Sequence, residues 1–428
     1  MKRYSEYKDS GVKWIGEIPE HWKCTRIKFI ANLYGRIGFR GYNSKDLNKD
    51  GIGAITLSPS NMKDMMMDYT NVTYLSWEKY NESPEIMIQQ GDILFVKTGS
   101  SYGKSCYVDN LPQEATINPQ ILRINPLING RFLCYYFNSS LARTFTECGV
   151  VGGTIPTISQ EKVGNFIALN PPLSEQQAIV TYLDTKVAKI DEYISIAEKK
   201  ISALEELKQT IIAEAVMRGI HKDVPMKDSG VKWIGMIPEH WKVHKIRSHF
   251  KERRVKVSDK DFQALSVAKI GIVPQLEDAC KTDNGDNRKQ VLKGDFVVNS
   301  RSDRKGSCGI SPLDGSVSLI NIVLRPFNIL QEYVHYLFRS HNYIEEFYRN
   351  GRGIVADLWT TRYSEMRNIQ IPVPPLSEQQ EIVTYIEAKV ANINQLCQAE
   401  RSQIEKLKEY KQRLISDVVT GKVKVTND

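Results

Sequence analysis

Long apolar runs are missing from this chain. No stretch approaches the roughly 18 residues needed to cross a bilayer. The first ten residues, MKRYSEYKDS, lack the apolar core of a secretory leader. The expected location is therefore the cytoplasm. Cysteine is sparse and unpatterned. Cys24, Cys106, Cys134, Cys148, Cys280, Cys308 and Cys397 are odd in number and form no CxxC pair. Free thiols in a reducing compartment fit this better than a disulfide framework. His240, His244 and His249 lie close in sequence, but no cysteine or carboxylate cluster completes a tetrahedral set, so no metal is expected.

Catalytic motifs are lacking too. Gly99 to Ser105 imitates a phosphate-binding loop, yet Thr98 stands where the GxxxxGK[ST] spacing needs glycine. Asn170-Pro171-Pro172-Leu173 has the outline of an amino-methyltransferase NPPY motif, but Leu173 replaces the aromatic residue and no glycine-rich fingerprint precedes it. No catalytic residue and no cofactor are expected.

What the chain does have is repetition. Lys8 to Lys23 reads KDSGVKWIGEIPEHWK and Lys227 to Lys242 reads KDSGVKWIGMIPEHWK, differing only at Glu17 and Met236. PPLSEQQAIVTYLDTKVAKI from Pro171 returns as PPLSEQQEIVTYIEAKVANI from Pro374. The order is short repeat, variable block, long repeat, then the same again. Such a chain holds a framework constant twice and presents two different surfaces in it. The 428 residues suffice for two or more domains. The segments expected are 1–173 (short repeat and first block), 174–220 (first long helix), 221–376 (short repeat and second block) and 377–428 (second long helix and tail).

The long repeats read as helices. Val180, Leu183, Val187, Ile190, Ile194, Ala197, Ile201, Leu204, Ile211 and Ala215 step by three and four, with Lys208 breaking the seam. The second copy gives Val383, Ile386, Val390, Ile393, Cys397, Ile404, Leu407, Leu414 and Val418, interrupted at Glu400 and Lys411. That is heptad spacing, the mark of a helix buried along a narrow stripe on another helix. Ser174 to Gln177 and Ser377 to Gln380 read as capping boxes, and Gly219 and Gly421 as C-terminal stops. The two helices, each about 65–70 Å long at 1.5 Å per residue, are natural partners. An antiparallel coiled coil relating the two halves by a pseudo-two-fold axis is expected.

Net charge is +8, and the excess lies in the variable blocks: residues 23–171 carry 15 Lys+Arg against 12 Asp+Glu, residues 242–374 carry 22 against 15. The blocks share a faint skeleton. Gly91-Asp92-Ile93-Leu94-Phe95-Val96 aligns with Gly294-Asp295-Phe296-Val297-Val298-Asn299, and a polar loop follows each. Ile117-Asn118 and Leu122-Arg123 align with Ile320-Asn321 and Leu324-Arg325, which confines the length difference to the region before Gly91. Short apolar strands with a few helices make each block an α+β domain.

The alternating organisation, the WIG-IPEHW segments, the GDIL-type strand with its loop, and PPLSEQQ opening a long helix together resemble the specificity subunit of type I restriction–modification systems. The resemblance covers essentially the whole chain. It implies that each block is a target-recognition domain reading one half of a bipartite, asymmetric sequence in double-stranded DNA. It also implies that the helices set the spacer, that two methyltransferase subunits dock on the repeated regions, and that two motor-nuclease subunits complete the restriction complex. Two other functions stay open on the residues alone: a stand-alone DNA methyltransferase or nuclease, and a coiled-coil scaffold without a DNA role.

For a DNA-reading surface, polar and basic loop side chains supply phosphate and base-edge contacts. Candidates in the first block are Lys97, Thr98, Ser100, Ser101, Tyr102 and Lys104, then Arg36, Arg40 and Tyr42, then Thr154 and Thr157. In the second they are Ser300, Arg301, Ser302, Asp303, Arg304 and Lys305, with Arg253, Arg254, Lys256 and Arg352. Asp303 either accepts from a cytosine amino group or orients Arg301. Trp14, Trp22, Trp233 and Trp241, in the near-identical short repeats, are candidates for a surface that meets the same partner twice, or for anchors in each domain's core.

Overall fold

The strands in GDILFV and GDFVVN are apolar after the acid, up to Asn299 at the end of the second, because both of their faces are covered. A computed structural model describes residues 2–36, 38, 41–48, 50–152, 155–275, 285–353 and 359–425. Arg40 and Thr154 fall outside the described residues. Two units emerge, Met1–Ala197 with Ser402–Asp428, and Glu198–Arg401, so each long helix is shared between them.

In the first unit a four-stranded antiparallel sheet runs in the order Ser105–Tyr107, Ile93–Val96, Ile121–Pro126, Ala31–Gly35. Successive side chains of a strand point to opposite faces. Ile93 and Phe95 therefore join a core with Leu133 and Phe137 of helix Gly130–Phe137, while Leu94 and Val96 join Ile55, Leu57 and Ile117 of a second sheet. The second unit repeats the device: Phe296 and Val298 face helix Gln331–Arg339, and Val297 faces Val291 and Val317. Each block is closed by a two-stranded pair between its ends, Lys23–Arg26 with Ile167–Asn170 and Lys242–Lys245 with Gln370–Val373.

The acid before each central strand is buried and paired. Asp92 accepts from Arg123 Nε at 2.6 Å and Asn125 Nδ2 at 3.0 Å. Asp295 accepts instead from Arg253, Nε at 2.6 Å and Nη2 at 3.1 Å. The partner arginine comes from the residue after strand Phe250–Glu252, and the sequence alignment of the blocks slips here. Val96 pairs with Ile121 and Asn299 with Asn321, so Ile121 and Asn321 are equivalent. The matched Leu-Arg dipeptides thus lie two residues out of register, and Val323 occupies the place of Arg123. It follows that the copies also differ in length between the central strand and its partner, not only before Gly91.

The short repeats are hairpins, Tyr7–Asp9 with Glu17–Pro19 and Met226–Asp228 with Met236–Pro238. Trp22 and Trp241 have no exposed surface. Trp22 donates from Nε1 to Glu175 Oε2 at 3.0 Å, and Glu175 also holds His21 at 2.8 Å and the Tyr4 hydroxyl. In the other unit Glu378 holds His240 at 2.7 Å. Trp22 and Trp241 are therefore core anchors and leave nothing for a partner to touch. Truncating such a side chain costs about 3–5 kcal/mol.

The long helices are Leu173–Arg218 and Leu376–Val419. They begin one residue before the serines read as caps: the Pro172 carbonyl accepts from Gln176 N at 2.9 Å, and Pro375 accepts from Gln379 N at 2.9 Å. Beside its glutamate, Glu175 or Glu378, the first glutamine of the PPLSEQQ motif also makes fixed contacts in both copies. Buried Gln176 accepts from Asn129 N at 3.0 Å and donates to Pro171 O at 2.9 Å, while Gln379 accepts from Leu330 N and donates to Pro374 O, both at 2.8 Å. Each tethers the long helix to its block. Gly219 and Gly421 follow the helix ends at φ 75° and 73°, as a left-handed stop requires.

The polar breaks in the seam are where the helices pair. In the second unit Lys200 meets Glu400, and Lys208 Nζ donates to Asn394 Oδ1 at 2.9 Å. Residue numbers rise on one helix as they fall on the other, so the helices are antiparallel. In the first unit Lys411 binds both oxygens of Asp191 at 2.6 and 2.8 Å, and Val180, Leu183 and Val187 share a core with Leu414 and Val418. Partly exposed pairs of this kind contribute at most about 1 kcal/mol each. Their effect is on register, because a one-heptad slip would set a lysine against an apolar position.

Candidate nucleic-acid interface

The two polar loops are held at equivalent places by equivalent backbone bonds. Lys97 N donates to Gln120 O at 2.8 Å, and the Lys97 carbonyl accepts from Ile158 N at 2.9 Å. Ser300 O likewise accepts from Thr361 N at 2.9 Å. Each loop then meets a second loop more than fifty residues further along the chain. Thr98 bridges to Thr157, and Thr157 to Val151; Arg301 bridges to Thr360, and Thr360 to Arg352. Both units thus present a three-strand edge with threonine at the centre. The flanks differ: Thr98 and Val151 in one unit, Arg301 and Arg352 in the other.

Several candidates gather at these edges. In the first unit Ser100 and Ser101 are exposed, and Tyr102 and Lys104 line a cleft with Asn138, Arg143 and Thr146. Gly99 and Gly103, at φ 100° and 83°, make the loop's sharp turns. Lys97 is half-buried over Gly35, and that burial lowers its pKa. In the second unit Asp303 forms an ion pair with Arg301, 3.1 Å from its Nε, and lies 3.8 Å from Arg304 Nε. Of the two neighbours open to Asp303 in the sequence, the structure describes the contact with Arg301. Lys305 pairs with Glu345 at 2.6 Å, and the Arg352 side chain is 85% exposed.

Other candidates are committed elsewhere. Arg36 is buried, donating to Ile117 O at 3.2 Å and Thr116 Oγ1 at 3.0 Å, with its guanidinium 5.2 Å from the Tyr42 ring centre. Desolvation lowers the Arg36 pKa and raises that of Tyr42. Arg288, which sequence reasoning passed over, does the same job in the second unit, donating to Ser316 Oγ at 2.8 Å. Ser300 is buried and gives its hydroxyl to Ile320 O at 2.6 Å. Arg253 serves Asp295, whose hydrogen bonds raise its pKa. Arg254 is exposed with Glu252 at 2.6 Å, and Lys256 sits on an exposed edge strand. Trp14 is 57% exposed against Phe145, and Trp233 is partly covered by Tyr343.

Thr360 and Trp359 were missed. The signal existed, since Thr157 and Thr360 are separated by the same interval as Gly91 and Gly294. Ser302 clamps Trp359 in both directions: its N donates to Trp359 O at 2.9 Å, and its Oγ accepts from Trp359 N at 3.0 Å. Among the described residues there is no cluster of three or more potential metal ligands, and no helix is long and apolar enough to cross a membrane.

One frame built twice, with two unlike polar edges, defines a duplicated recognition scaffold. The chain belongs to the family of the type I restriction modification DNA specificity domain, whose model matches residues 19–206 and 240–406. It is a type I specificity subunit with two target-recognition domains. It is 25% identical over 443 residues to the putative type I restriction enzyme MjaX specificity subunit of Methanocaldococcus jannaschii, covering 98% of each chain. It is 21% identical to the StySPI specificity subunit of Salmonella potsdam, over 95% of this chain and 90% of that one. A solved chain from work on assembly and conformational transition of the type I R-M system matches at TM-score 0.67 and 16% identity, over 95% of this chain and 99% of that one. The HsdS subunit from Thermoanaerobacter tengcongensis matches at TM-score 0.51 and 16% identity, over 95% and 98%.

Proposed function

We propose that each unit reads one half of a bipartite, asymmetric sequence in duplex DNA, and that its three-strand edge enters the groove. The observation that carries this reading is the duplicated edge. The same backbone pairing recurs around Thr157 and Thr360, while the residues that would meet bases change. Ser100, Ser101, Tyr102, Lys104, Arg304 and Lys305 flank the edges and supply phosphate and base contacts; Lys97, Arg254 and Lys256 add positive charge. The long helices set the spacer between the half-sites.

The chain works with DNA and other subunits of its restriction–modification system. In this reading two methyltransferase subunits dock on the repeated segments, with Trp14 and Trp233 part of the surface they meet. Two motor-nuclease subunits join for restriction, all in the cytoplasm. Catalysis resides in those partners; among the described residues no nucleophile is paired with a base in both copies.

The test is methylation by the reconstituted complex, with the methylated positions mapped by single-molecule sequencing. A split motif is expected, together with a steep fall in DNA affinity as salt rises. Methyl transfer by the chain alone from labelled S-adenosylmethionine, or binding indifferent to salt, would overturn the reading.

A further inference from the structure

The three-strand edge of the second unit fixes two arginines at a defined spacing. Thr360 and Arg352 form the hydrogen-bonded kind of antiparallel pair, with N–H···O distances of 3.1 and 3.2 Å in the two directions. Arg301 and Thr360 form the other kind, flanked by the Ser302 N to Trp359 O and Thr361 N to Ser300 O bonds, both 2.9 Å. Directly opposed residues carry their side chains on one face. Their Cα separations are about 5.5 Å and 4.5 Å for the two kinds of pair. Arg301, Thr360 and Arg352 therefore stand in a row, with the arginines about 10 Å apart.

Base pairs along a duplex are about 3.4 Å apart, so that spacing spans about three steps. Arginine is the side chain suited to the O6 and N7 pair of guanine, which it contacts with two donors in the major groove. Asp303 pairs with Arg301 on its Nε side, at 3.1 Å. The two terminal nitrogens are the part of the fork that would then point toward a base. The first unit offers no such pair: Val151 and Thr157 bond to each other in both directions at 2.9 Å, but the flanks are Val151 and Thr98. Methyl groups and one hydroxyl suit the thymine methyl and cannot grip guanine in two places.

We propose that Arg301 and Arg352 are guanine-reading residues, so that the half-site of the second unit contains two G·C pairs about three steps apart. This rests on the reading of the edges as DNA-facing. The half-site of the first unit has no such requirement at the equivalent positions.

The experiment maps the methylated motif of the full complex carrying wild-type chain, Arg301→Gln or Arg352→Gln. Arg301→Lys and thermal melting serve as folding controls, since both side chains are surface groups. The expected wild-type motif has two G·C pairs at that spacing in one half. Each glutamine variant relaxes one of those two positions, lowers methylation of the wild-type motif roughly ten-fold or more, and leaves the other half intact. A split motif without such G·C pairs, or one that both variants read unchanged, overturns the assignment of the arginines but not the recognition role. Methylation with no split motif at all overturns both.

Discussion

Arg253 separates a folding role from a reading role. It sits in the most basic block, and the sequence made it a DNA candidate, whereas its guanidinium is spent on the buried Asp295 carboxylate. Replacing Arg253 with glutamine leaves that carboxylate, 2% exposed, with Leu292 N at 2.9 Å as its remaining donor among those described. Breaking one side of a buried pair costs about 3–5 kcal/mol. The Arg253 side chain keeps 18% of its surface exposed, so the lower end, about 3 kcal/mol, applies. For a domain of this size each kcal/mol moves Tm by about 2–4 °C, so the second unit should melt about 6–12 °C earlier. Below that transition, the salt dependence of DNA binding should keep its slope. A phosphate-contacting residue would behave in the opposite way, lowering the slope by about one with little change in Tm. That second pattern would refute the assignment. Asp295→Leu with Arg253→Met should recover most of the lost stability, because an apolar pair of similar volume carries no stranded charge.

Two further outcomes follow from the same geometry. Excising Glu198–Leu204 and Arg401–Leu407 together removes one heptad, about 10 Å, from each helix while preserving the seam; the methylated motif should keep both half-sites and change its spacer, and an unaltered spacer would count against the helices as its ruler. His335 has its pKa lowered to about 4, first by burial and then by Arg339. Its stabilising contribution is complete above the unfolded value near 6.5 and is lost as pH falls from there toward 4, because only the unfolded chain takes up the proton. His335→Asn should flatten the acid limb of the second unit's melting curve in that window, and an unchanged limb would place the acid sensitivity elsewhere.

The parts of the fold written in side-chain periodicity were readable. Heptads gave the long helices, and their apparent errors at Lys208, Glu400 and Lys411 are the polar cross-helix contacts. Parts written in backbone pairing were not. The Ile-Asn and Leu-Arg dipeptides of the two blocks match in letters but not in register, because strand register is set by hydrogen bonds that a dipeptide does not encode. The paired edges around Thr157 and Thr360 join loops far apart in sequence, so residue type located the polar loops but not the loop that each one meets. Burial was the other blind spot. Arg36, Ser300, Trp22 and Trp241 have side chains common at interfaces, and only the packing around them shows that they face inward.

The first unit is built from two separate stretches, Met1–Ala197 and Ser402–Asp428. Lys424 N donates to Lys2 O at 2.9 Å, and a side chain added at Gly421 would collide with Pro19. The second unit is one unbroken stretch inserted between those pieces. On the ribosome the inserted unit is therefore complete while the surrounding one still waits for its final helix turns. A stop codon shortly after position 401 would leave the unit Glu198–Arg401 whole and strip the other of its last wall, so damage beyond the second block would surface as loss of the half-site read by the first.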